Sequence, residues 1–137
     1  MPYFFVMFDP TKIPQETVDK AKPWLQIAGA EALSSKETLP PGHLPDGSKG
    51  EDITTKPEEI FVGQYMVHPT DVNPAPFEVY IQAGRSKGRN GDKVQEILGK
   101  ALSETSLIPN EYLGEGQSCI FVTFHEENGF GFIPRRI

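Results

Sequence analysis

The pattern that most constrains this chain is a doubled one. Pro2-Tyr3-Phe4 and Pro76-Phe77-Glu78 each open a run rich in aromatic and branched residues. Each run leads into a helical stretch and then into another strand-like run. Two strand–helix–strand halves in a chain of 137 residues leave few topologies, because a crossover between parallel strands takes one hand. The expected fold is α+β, a two-layer α/β arrangement. It is a tandem β-α-β fold with a four-stranded mixed sheet, two helices on one face and a short C-terminal hairpin strand. The other face is apolar enough to need a cover, for which a second subunit is the economical choice. By length, residues 1–137 make a single domain.

Tyr3–Phe8 reads as a strand without strict alternation, so both of its faces are expected to be covered. Val18, Ala21, Leu25, Ala28 and Ala32 then recur at helical spacing with Trp24 beside them. Pro23 falls inside that pattern and predicts a kink or a split into two helices. Residues 34–57 carry PPG and PDGSKGED and few apolar side chains. They read as an inserted surface loop, of the kind that serves as a lid or binding loop or stays disordered. Glu59–Val67 is the second expected strand and Phe77–Ala83 the third. After the basic turn RSKGRN, a helix places Val94, Ile97, Leu98, Ala101 and Leu102 on one face, with Asn90 suited to cap it. Cys119–Phe124 is the fourth strand. Asn128-Gly129 marks a reversal into Phe130–Ile133.

A formal net charge of -6 disfavours nonspecific nucleic-acid binding, which depends on a basic surface. It leaves room for a local basic pocket that takes a small anion. No apolar run approaches the roughly 20 residues needed to span a bilayer, and no secretory signal is visible. These limits fit a cytoplasmic enzyme or small-molecule binder. The lone Cys119, in the apolar run CIFVTF, reads as a buried thiol. His43, His68 and His125 are scattered, so no metal-ligand spacing exists. GRSKGRNG matches neither the dinucleotide nor the phosphate-loop fingerprint. No metal and no cofactor are expected.

Three places carry chemistry. Loss of the initiator Met1 would leave Pro2 with a free secondary amine. An apolar, cationic neighbourhood lowers the pKa of such an amine and suits it to act as general base, acid or nucleophile. Arg85 and Arg89, four residues apart in the basic turn, can converge on a carboxylate, since the guanidinium is a planar donor fork. Glu126 and Glu127 follow His125 at the end of the last long strand, where one carboxylate can hold or activate water. Asn128 can orient a substrate carbonyl, though an Asn-Gly turn explains it equally. His43 lies in the inserted loop.

The two halves, Pro2, the turn RSKGRN before the second helix and the ending FHEENGFGF together resemble the tautomerase superfamily. The nearest likeness is to its cis-3-chloroacrylic acid dehalogenase-like branch. The resemblance implies a trimer whose amino-terminal proline acts on small unsaturated or 2-oxo carboxylic acids. It implies Pro2 as the catalytic proline, Arg85 and Arg89 as carboxylate binders, and Glu127, or Glu126, as the water-handling glutamate. Tyr3, Phe61, Tyr65 and Phe132 become pocket walls. The tyrosine that works with that glutamate in the dehalogenases corresponds to Thr123, and the branch's substrate-binding histidine falls near Gly29 and is absent. These departures favour keto–enol tautomerisation, with low hydratase or dehalogenase activity beside it. Two rivals remain: a non-catalytic small-molecule-binding or interaction protein on the same fold, and a ferredoxin-like dimeric α+β barrel. In the barrel the halves pack as an antiparallel sheet, so strand order separates the two architectures.

Overall fold

The computed structural model describes residues 2–34, 54–84, 89–112 and 118–125. Six elements form two layers: β1 (Tyr3–Phe8), α1 (Gln15–Leu33), β2 (Phe61–Met66), β3 (Phe77–Gly84), α2 (Gly91–Glu104) and β4 (Ser118–His125). The sheet order is β2-β1-β3-β4. β1 runs parallel to β2, β3 runs parallel to β4, and the halves meet where β1 and β3 pair antiparallel. Each half is therefore a parallel β-α-β unit, as the sequence pattern predicts. A sheet with two parallel neighbour pairs excludes the ferredoxin-like barrel.

The core lies between the sheet and the helices. Phe4, Val6 and Phe8 of β1 and Phe77, Val79 and Ile81 of β3 point into it at every second position, all fully or almost fully buried. Val94, Leu98 and Leu102 of α2 meet them, and Val18, Ala21 and Leu25 of α1 complete the layer. Asn90 caps α2 as expected, its side chain accepting from the Asp92 and Lys93 amides at 2.8 and 3.3 Å. α1 does not split at Pro23 and runs through it for 19 residues. Pro23 is exposed, so the Asp19 carbonyl that loses its amide partner is on the wet side of the helix, where water replaces the bond.

Gly29 is where α1 comes closest to the sheet. A Cβ there would stand 2.6 Å from the Phe4 ring and 3.1 Å from Ile60 Cδ1, so only hydrogen fits. Position 29 thus faces the core.

Among the described residues, no layer covers the other sheet face. Tyr3, Phe5, Phe61, Tyr65, Tyr80 and Phe121 stand there, between 37% and 51% exposed. Tyr3, Phe5 and Phe61 form one cluster, with ring centroids 6.0–6.5 Å apart. Gly63 makes room for it, since a Cβ there would sit 2.8 Å from the Phe61 ring. Tyr80 and Phe121 stack at 4.9 Å. The alternation therefore differs from the expectation for β1, whose second face carries Tyr3 and Phe5 in the open. It also corrects the reading of Cys119, which is exposed. Cys119 pairs with Glu78 in the β3–β4 register and shares the open face with Tyr80 and Phe121, whereas its neighbours Ile120 and Val122 pack on the core.

Tyr80 donates to Glu78 at 2.6 Å. That bond, with burial second, pushes the phenol up from 10.0 to about 12. The phenol is the donor, so this stabilisation is complete below pH 10 and disappears as pH rises through about 12. A carbon-13 NMR titration of Tyr80 is expected to show the high midpoint, and Glu78→Gln to return it toward the ordinary value. An ordinary midpoint in the wild type would contradict the bond.

No helix among the described residues is long and apolar enough to cross a membrane. No group of three or more His, Cys, Asp or Glu side chains among them is placed to hold a metal ion.

Candidate functional site

One end of the sheet gathers the start of β1, the start of β2 and the ends of β3 and β4. Tyr3 pairs with Gln82 and with Phe61, and Gly84 pairs with His125. The antiparallel β1–β3 ladder, continued by one residue, sets Pro2 level with Ala83. Pro2 is buried, and its carbonyl accepts from the Phe61 amide at 3.1 Å. Pro2 is therefore tied to β2 through its carbonyl and lies beside the end of β3.

Arg89 reaches the same end. Its Nη1 donates to the Gly84 carbonyl at 2.8 Å, its Nε to the Leu33 carbonyl at 3.1 Å and its Nη2 to Thr55 Oγ1 at 3.2 Å. The guanidinium thus bridges the end of β3, the last turn of α1 and the chain returning toward β2. Leu33 is the last residue of α1, whose last turn holds no basic residue of its own. Arg89 supplies the positive charge that a helix C-terminus favours. Half-burial pulls the Arg89 pKa below its ordinary value, by desolvation. No carboxylate among the described residues pairs with it. Adjacent strands lie about 4.8 Å apart and residues about 3.4 Å apart along a strand. The guanidinium on Gly84 is thus on the order of 10 Å from Pro2.

Among the described residues, partners are found for three of the five guanidinium donors, which leaves one N–H on each terminal nitrogen without a described partner. Tyr3 and Phe61 are next to Pro2 in sequence and register and stand on the open face of the sheet, whereas Pro2, like Phe4, is buried.

Tyr65 is elsewhere. It lies four residues beyond Phe61, roughly 13 Å along β2, and its hydroxyl donates to Asp71 Oδ2 at 3.0 Å. That carboxylate also accepts from the His68 amide at 2.9 Å, so Tyr65 and His68 belong to a turn at the opposite end of the sheet. His43, Arg85, Glu126, Glu127, Asn128 and Phe132, together with the closing strand, lie outside the described residues. Sequence reasoning missed Thr55 and Leu33 as partners of Arg89. They stand 34 and 56 positions from it, and a backbone carbonyl has no signature in sequence.

Solved structures of the same architecture exist at low sequence identity. A fused 4-OT in an asymmetric trimer matches over 97% of this chain and 94% of its own, with a TM-score of 0.56 at 12% identity. Pt0534 inactivated by 2-oxo-3-pentynoate matches over 96% and 93%, at 0.52 and 11% identity. N1, a member of the cis-3-chloroacrylic acid dehalogenase (cis-CaaD) family, matches over 90% and 75%, at 0.51 and 13% identity. The chain shares the tautomerase-like β-α-β fold of these structures. No protein-family model and no curated protein matches it.

Two clefts on this tautomerase fold lie away from Pro2. One, of about 470 Å³, runs between α2 and β4 and is lined by residues such as Gln95, Ser118 and Cys119. The other, of about 580 Å³, sits at the far end of β1 and includes Asp9, His68 and Asp71. Neither is lined by Pro2 or Arg89.

Proposed function

We propose that this chain is an amino-terminal-proline enzyme acting on a small unsaturated or 2-oxo carboxylic acid. Its main reaction is keto–enol tautomerisation, with low hydratase or dehalogenase activity beside it. The observation that carries this reading is the meeting of the start of β1 with the strand end to which the Arg89 guanidinium is bonded. In the reaction, the substrate carboxylate takes the remaining Arg89 N–H donors, with Arg85 as the second arginine on sequence grounds. The Pro2 amine accepts the enol hydroxyl proton, and the resulting ammonium delivers a proton to the adjacent carbon. Enol becomes ketone and the amine is regenerated. Arg89 offsets the enolate charge as it develops. Glu127, or Glu126, would handle water in the hydratase reaction. His43, Asn128 and Phe132 stay in the proposal as substrate contacts on sequence grounds alone.

The ligand class has a second support. Pt0534, on the same fold, is inactivated by 2-oxo-3-pentynoate, a 2-oxo acid. The test is intact mass for loss of Met1, followed by turnover of phenylenolpyruvate, 2-hydroxymuconate and 3-haloacrylates by wild type and Pro2→Ala. A non-catalytic binder on the same fold is the second reading. It is favoured by the burial of Pro2 and by the three structural ties of Arg89. A retained Met1 would decide for it, because an acylated proline nitrogen has no basicity.

The proposed assembly is a homotrimer closed over the aromatic sheet face. A fused 4-OT forms a symmetric trimer on this fold, and an open aromatic face of this extent marks an interaction surface. Analytical ultracentrifugation should find a trimer for the wild type and mainly monomer for a Phe5→Asp, Phe121→Asp double variant. A monomeric wild type would rule the assembly out.

A further inference from the structure

Thr55 is one of two polar side chains buried among the described residues, at 5% exposure. Its backbone is fixed independently of its hydroxyl, because the Thr55 amide donates to Ser34 Oγ at 2.9 Å. Ser34 Oγ in turn donates to the Ala30 carbonyl at 2.6 Å. The Thr55 hydroxyl is thus left to accept from Arg89 Nη2. That bond and the Leu33 carbonyl together occupy the side edge of the guanidinium formed by Nε and Nη2. With the Gly84 carbonyl on Nη1, the plane is held at three points and cannot swing about the Cδ–Nε bond without breaking a charged hydrogen bond. Lys93 donates to the Ser34 carbonyl at 3.3 Å, so the α1 end that carries this clamp is itself tied to α2.

We propose that Thr55 is a positioning residue. Its hydroxyl fixes the plane of the Arg89 guanidinium so that the donors left on the two terminal nitrogens meet a carboxylate as a pair. This rests on the reading that a substrate carboxylate docks at Arg89. Thr55 touches no substrate and acts through the arginine. Valine in its place keeps shape and backbone bonds and removes only the acceptor. Serine restores the acceptor.

Phenylpyruvate would be titrated into wild type, Thr55→Val, Thr55→Ser and Pro2→Ala, reading the Arg89 side-chain nitrogen-15 signals. Phenylenolpyruvate turnover would be followed in parallel. Thr55→Val is expected to weaken carboxylate binding and raise KM about tenfold, the loss of one charged hydrogen bond's worth of orientation, with kcat within about threefold. Thr55→Ser is expected to stay near wild type. In the wild type the Arg89 Nη protons should give resolved rather than averaged signals. Binding by Thr55→Val within twofold of wild type, a serine variant as weak as the valine one, or averaged Nη signals would each overturn the proposal. If the valine variant does not fold, the wild-type Nη signals decide. Full turnover in Pro2→Ala would remove the proline mechanism and leave the positioning result standing.

Discussion

Pro2→Ala is expected to lose turnover by about 10²–10⁴-fold, the range contributed by a positioned general acid–base. The fold should survive the change. The Pro2 bond into the sheet runs through its carbonyl to the Phe61 amide, and alanine keeps that carbonyl. What alanine removes is the ring, which makes the amine secondary and fixes the direction of its lone pair about the N–Cα bond. A primary amine free to rotate remains a base and is no longer an aimed one. KM for phenylenolpyruvate should therefore change by only a few fold while kcat falls. A thermal unfolding midpoint close to wild type separates lost chemistry from lost structure. Turnover within threefold of wild type would end the proline mechanism.

Gly29→His is expected to destabilise the protein by about 3 kcal/mol or more and to bring no gain in substrate binding. By resemblance, residue 29 is the place to restore a missing substrate-binding histidine. The packing says otherwise. A Cβ there would stand 2.6 Å from the ring of Phe4, and Phe4 is fully buried and cannot retreat without moving the sheet. Overpacking of this kind costs typically about 1–3 kcal/mol, and an imidazole left without a partner adds a similar amount. Equilibrium urea unfolding would measure it. A histidine variant as stable as wild type would show that α1 sits further from β1 than this packing has it.

Both cases show where sequence is legible. Val94, Leu98 and Leu102 announce α2 through spacing, and Asn90 announces its cap, because those contacts lie within a few residues of one another. The two halves are legible as well, since a strand after a long crossover has one economical place to go. Pro23 misleads because its propensity is local, whereas the helix is held by residues such as Val18 and Leu25 packing on the sheet. Cys119 misleads because a run such as CIFVTF hides which of its faces a layer covers. At the site, the basic turn is visible in sequence and the role of Arg89 is not. Its partners come from the end of α1 and from Thr55, joined only when the sheet has formed.

The place of β1 has a consequence for how the protein comes into being. β1 lies between β2 and β3, so the first of these four strands to be synthesised is an inner one. Neither neighbour exists until the chain has passed Phe61 and then Phe77. Pairings so distant along the chain make for slow folding, since loop closure comes before any reward from the ladder. Until then Tyr3–Phe8 is an exposed aromatic segment with both edges unpaired, which is the state most open to wrong partners. The nascent chain is therefore most vulnerable before the second half is complete, and a break between the halves would strand β1 with only β2 beside it.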